Sequence, residues 1–180
     1  LSCEGQARLG HDVHLAFGPI FGPEGSLLAR AEGFRDQGPD GRPCRLSLHE
    51  VPTLVREIRP LTDARCFFAL RSLIRRLGPD IVHTHSSKAG VLGRAAAWAE
   101  RTHPSRGGRP LGVVHTIHGP PFHAFLPATT NAVYVASERY AARRCHRIVS
   151  VADALPRQFR ERDVVTVSYT HLALPTTTDV

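Results

Sequence analysis

The apolar positions of the chain follow two alternating rhythms. Residues 1–9 read as the end of a helix closed by Gly10, and D-V-H-L-A-F at 12–17 reads as a strand stopped by Gly18-Pro19. A short helix is predicted over 24–32, a polar loop over 38–43 and a strand over 44–48. Between 62 and 77, Ala64, Phe67, Leu70, Ile74 and Leu77 recur at three- and four-residue steps. That spacing marks one face of an amphipathic helix, with Arg71, Arg75 and Arg76 mostly opposite. Gly78-Pro79 ends it, I-V-H-T at 81–84 is the next strand, and Ser86 is placed to cap a helix over 88–101. A strand over 111–117, the loop Gly119-Pro120-Pro121, a helix over 131–145, a strand over 147–151 and a helix over 153–162 complete the series. Strands alternating with helices at these spacings predict an α/β protein with a parallel, doubly wound sheet. No internal repeat is visible.

Composition narrows the class. The chain has 180 residues, 42% hydrophobic and 22% charged, which fits one globular α/β domain and excludes wholesale disorder. It contains no Met, so it is expected to be a piece of a longer protein. The formal charge is +7, and of the 23 basic residues only Lys88 is lysine. A basic surface suits nucleic acid, anionic lipid or a phosphorylated ligand alike. The Arg-rich stretches 139–147 and 157–162 have few interleaved aromatics, so they read as solvated helix faces and nucleic acid is not expected as a partner. Cys3, Cys44, Cys66 and Cys145 lie far apart with no C-x-x-C pair, which suits a reducing cytoplasm. The longest stretch without a charged residue, 110–137, holds four prolines and three histidines and is not a spanning helix.

Six of the 11 histidines fall between His83 and His123. Ligands of open parallel sheets bind beyond the carboxyl ends of the strands, and two such ends are rich here. In the first, the strand delivers His85 to the edge. Free N–H groups at Ser86 to Lys88 then open a helix, and with Lys88 they suit a phosphate or sugar hydroxyls. The plainer alternative has Ser86 only capping and His85 as a hydrogen-bonded wall residue. In the second, His118 ends a strand, Gly119 lets a ligand approach the backbone, two prolines stiffen the loop, and Phe122 and Phe125 supply an apolar face. An imidazole there can donate to or accept from a sugar hydroxyl. His83 and His115, inside strands, are expected in the interior. The His pairs lack a Cys or carboxylate at ligand spacing, so no metal is expected, and neither G-x-G-x-x-G nor a Walker A loop occurs.

The succession P-D-I-V-H-T-H-S-S-K-A-G-V-L-G-R at 79–94, followed by V-V-H-T-I-H-G-P-P-F-H at 113–123, resembles family 4 glycosyltransferases. Within them it is similar to bacterial enzymes of capsule, exopolysaccharide and lipopolysaccharide assembly. Further matches are G-H-D-V-H-L-A-F-G-P at 10–19, V-P-T-L-V-R-E-I-R-P-L at 51–61 and E-R-Y-A-A-R-R-C-H-R-I-V-S-V-A-D-A-L at 138–155, so the likeness covers about residues 5 to 163.

The resemblance implies a Rossmann-like fold, the incomplete N-terminal half of a GT-B architecture spanning 1–163, with its first strand and the donor-binding C-terminal domain absent. It implies a retaining transfer of a sugar from a nucleotide-sugar to a glycan or polyprenyl-linked acceptor, without metal, in a cytoplasmic protein that touches the anionic inner membrane face. By the same resemblance His118 is catalytic, and His85, Ser86, Lys88, Gly119, Phe122 and His123 bind the acceptor. Residues 164–180 resemble the translated read-through of a sequencing adapter and are expected to be non-native. The alternative function is a non-catalytic α/β module binding a sugar or phosphorylated ligand.

Overall fold

The computed structural model describes residues 2–19, 27–122, 125–152, 154–164 and 169–171. The chain divides into two compact units, Leu1–Thr62 and Asp63–Val180. In the first, α1 (Ser2–Arg8) leads to β1 (Asp12–Phe17), then α2 (Leu28–Glu32) and β2 (Arg45–Glu50). β1 and β2 pair in parallel, Val13 opposite Leu46 and Leu15 opposite Leu48. The buried Glu4 of α1 accepts Nε and Nη2 of Arg30, each at 2.7 Å, which fastens α2 to α1.

α3 (Pro60–Leu77) runs from the boundary into the second unit, which continues with β3 (Ile81–His85), α4 (Ser87–Glu100), a 3-10 turn at Pro104–Arg106, β4 (Gly112–Ile117), α5 (Ala128–Ala142), β5 (Arg147–Ser150), α6 (Ala154–Glu161) and β6 (Tyr169–His171). The last four strands form a parallel sheet in the order β3-β4-β5-β6. Parallel strands joined through helices are the expected Rossmann-like α/β class. Among the described residues the strands fall into two sheets rather than the single one expected, because no described strand pairs with both β1 and β3. The first part of the helix expected over 24–32 lies outside the described residues. Of the tail 164–180, only Val164 and β6 are described.

α3 buries Cys66, Leu70, Leu73 and Ile74. This stripe is rotated from the predicted one: Ala64 is exposed and Cys66 and Leu73 replace it and Phe67 at the centre. The cause lies on the following helix, where Glu100, 1% exposed, accepts Arg71 Nε at 2.6 Å and Arg75 Nη2 at 2.8 Å. That pairing fixes the rotation of α3.

α4 comes unusually close to the sheet. A Cβ on Gly90 would lie 2.5 Å from His115 Cε1, and one on Gly93 would lie 2.8 Å from Thr84 Cγ2. Glycine costs a helix interior about 1 kcal/mol relative to alanine, and here it is the residue that lets the helix axis approach β3 and β4.

Candidate functional site

The carboxyl ends of β3 and β4 lie side by side, with His85 opposite Thr116 in register. Strand alternation puts Val82 and Thr84 on the face toward α4 and Ile81, His83 and His85 on the other. Thr84 is therefore buried, and its hydroxyl is 2.9 Å from Nδ1 of the buried His115. His115 is interior as expected. His83 is not: it is exposed, because its parity carries it to the uncovered face, where Nε2 is 2.7 Å from Thr116 Oγ1.

Two strand ends meet at this edge. His85 Nδ1 lies 3.0 Å from His118 Nε2 with ring centroids 5.3 Å apart, and both residues are exposed. His83 stacks on the other side of His85 at 4.4 Å. Desolvation by the protein around the ring, then the neighbouring His83 and His118, push the His85 pKa down to about 4. His83 is lowered for the same first reason, then by His118. His115 is lowered to about 3, mainly by burial and next by the Arg94 charge. At neutral pH these three rings are uncharged.

Behind the pair opens a pocket of about 210 Å³, lined by Ser86 and Ser87 at the start of α4, His115 to Gly119, Pro121, Glu138 of α5 and Phe159 of α6. Ser86 occupies the N-cap position, yet its side chain makes no cap hydrogen bond. Its backbone is the reason: φ is 61° and ψ 168°, a region that costs a non-glycine residue roughly 1–3 kcal/mol. The capping role expected for Ser86 is thus not what the structure shows.

The remaining site residues separate. Gly119 lies exposed beside His118. Lys88 is turned away, its ammonium 2.5 Å from Asp63 Oδ1 of α3. Phe122 is 4% exposed and packs on Phe159 at 5.0 Å between centroids, so it supports the loop from beneath and offers no open apolar face. That face belongs to Phe125, 95% exposed. His123 lies outside the described residues.

The partner of the pocket's Glu138 was not anticipated. Arg94, fully buried, donates Nε to Gly90 O at 2.9 Å and Nη2 to Glu138 Oε2 at 2.7 Å. Arginine is rarely enclosed, so sequence position alone gave no reason to place it there. The one available signal was its position in the glycine-spaced helix that lies closest to the sheet. Among the described residues no group of three or more His, Cys, Asp or Glu is arranged to hold a metal ion. Nor is any described helix long and apolar enough to cross a membrane.

A parallel sheet with a pocket at its carboxyl edge and one histidine at each of two adjacent strand ends is the arrangement at which open α/β domains bind ligands. The model of Glycosyltransferase Family 4 matches residues 2–170, and the chain belongs to that family. It is also similar to a UDP-Gal:alpha-D-GlcNAc-diphosphoundecaprenol alpha-1,3-galactosyltransferase of Escherichia coli, 39% identical over 99 residues. The aligned segment is 55% of this chain and 24% of that enzyme.

Proposed function

We propose that this chain is the acceptor-side half of a retaining glycosyltransferase that moves a sugar from a nucleotide-sugar to a glycan or polyprenyl-linked acceptor in bacterial surface-polysaccharide synthesis. The family supports the reaction class. The reaction named for the Escherichia coli relative supports a lipid-linked acceptor. The observation that carries the reading is the His85–His118 contact at the mouth of the pocket, where two strand ends converge on one crevice.

In this reading His118 is the catalytic imidazole, exchanging a hydrogen bond with a hydroxyl of the reacting sugar as charge develops. Gly119 leaves room beside it, and Ser86 and Ser87 offer hydroxyl and N–H groups to the acceptor. In this reading a second Rossmann-like domain of the whole enzyme binds the nucleotide-sugar. The transfer needs no metal, the donor charge being met by side chains and a helix N-terminus of that domain. The enzyme works in the cytoplasm at the inner membrane face, where a basic surface favours anionic lipid.

The test is transfer of labelled sugar from nucleotide-sugars to a GlcNAc-diphosphoundecaprenol acceptor, using enzyme from the uninterrupted gene. His118→Ala is expected to lower turnover by about 10²- to 10⁴-fold while donor affinity stays near wild type. Wild-type turnover in that variant would overturn the role given to His118.

A further inference from the structure

An imidazole at the end of a strand turns about two side-chain torsions and can present either nitrogen to a ligand. His118 does not have that freedom. Its Nε2 is held 3.0 Å from Nδ1 of His85, and a hydrogen bond between two imidazoles needs one N–H and one lone pair. The bond therefore fixes the ring's orientation and couples the two tautomers, since the N–H of one ring must meet the lone pair of the other. It also commits Nε2, so Nδ1 is the nitrogen of His118 left for a ligand.

His85 is itself firmly held. It is the last residue of β3 and lies in register with Thr116 of β4. Its ring stacks on His83 at 4.4 Å and 34°, and His83 is in turn 2.7 Å from Thr116 Oγ1. On its other side the chain turns sharply through Ser86, whose φ of 61° is a strained value for a serine. Such strain persists only where the surroundings over-determine the backbone.

We propose that His85 is the positioning residue for His118, holding that ring in one orientation so that Nδ1 faces the reacting sugar. The proposal rests on the functional reading of His118 given above. The other charged groups around the pocket are already engaged with one another. Lys88 is bound to Asp63. Glu138 is paired with the buried Arg94. Two imidazoles this close are not both protonated, because like charges at such separation repel.

The first arm of the test needs no activity. In enzyme from the uninterrupted gene with isotope-labelled histidine, nitrogen–nitrogen coupling across the bond between His85 Nδ1 and His118 Nε2 is expected at neutral pH. In His85→Leu, which keeps the bulk but removes the nitrogen, the coupling is lost and the His118 ring resonances are expected to shift and broaden. In His85→Asn, whose amide reaches the position of Nδ1, sharp His118 ring resonances should return. The second arm is the transferase assay: His85→Leu is expected to lose about 100-fold in kcat with donor KM unchanged, and His85→Asn to recover most of it. Unaltered His118 ring resonances in His85→Leu, or equal losses in the two variants, would overturn the proposal. Full activity of His118→Ala would instead defeat the functional reading, and the spectra would still decide whether His85 sets the ring.

Discussion

His115 shows how one residue ties the sheet to pH. Its ring is enclosed under α4, and its pKa falls from the ordinary 6.5 to about 3 through burial, then through Arg94. In the unfolded chain the ring takes up a proton near 6.5, while in the folded chain it stays neutral until far lower pH. The unfolded state thus binds more protons across this window, so stability is fully present above about 6.5 and is lost as pH falls toward 3. The limiting slope from this ring is about 1.4 kcal/mol per pH unit. His85 acts in the same direction, being lowered to about 4. Buried-carboxylate effects begin only at lower pH, where Glu100 (lowered chiefly by its bond to Arg75) takes up its proton. Denaturant midpoints measured from about pH 7 to about pH 5 should therefore fall, and His115→Gln, which retains a hydrogen-bonding side chain but does not titrate, should flatten the slope. An equal slope in that variant would rule out the assignment.

At the scale of elements, the joint between α4 and α5 is an ion pair almost wholly out of water, Arg94 and Glu138 at 2.7 Å with side chains 1% and 4% exposed. Glu138 of this pair also lines the pocket, so packing and site share one residue. Arg94→Met leaves an unpaired buried carboxylate and is expected to cost about 3–5 kcal/mol. The double variant with Glu138→Met also removes that charge and should recover most of the loss. Chemical denaturation of the two proteins checks this, and a single-variant cost below about 1 kcal/mol would mean that the pair does not join the helices. The glycines of α4 act at this scale too. Their spacing was visible in the sequence, but their purpose, room for His115 and Thr84, exists only once β3 and β4 lie beneath the helix.

For the molecule as a whole, the two units differ in what holds them. β4 is paired on both sides and buries Val113, His115, Thr116 and Ile117. β1 and β2 form a two-stranded sheet in which Val13 is the one buried strand residue. Two-stranded sheets are marginal, and local opening follows low burial. Hydrogen exchange is accordingly expected to be slowest in β4 and fastest among the strands in β1 and β2. Equal protection across the two sheets would show that the units open together.

The sequence by itself determined the element order and class. The strand at 12–17 was read with its observed bounds, and β3, β4 and β5 fall within a residue or so of prediction, because strand runs and glycine–proline stops are local signals. It also placed His85 and His118 at two strand ends, since parallel topology sends both to the same edge. What depended on contacts between distant segments was decided only in three dimensions. The rotation of α3 was set by Glu100 some 25 to 29 residues away, the burial of Phe122 by Phe159, and the turning of Lys88 by Asp63. The exposure of His83 came from strand parity relative to α4, which periodicity within a five-residue strand does not encode. Local chemistry fixes what a segment becomes, whereas partner choice across the chain fixes which side chains reach the crevice.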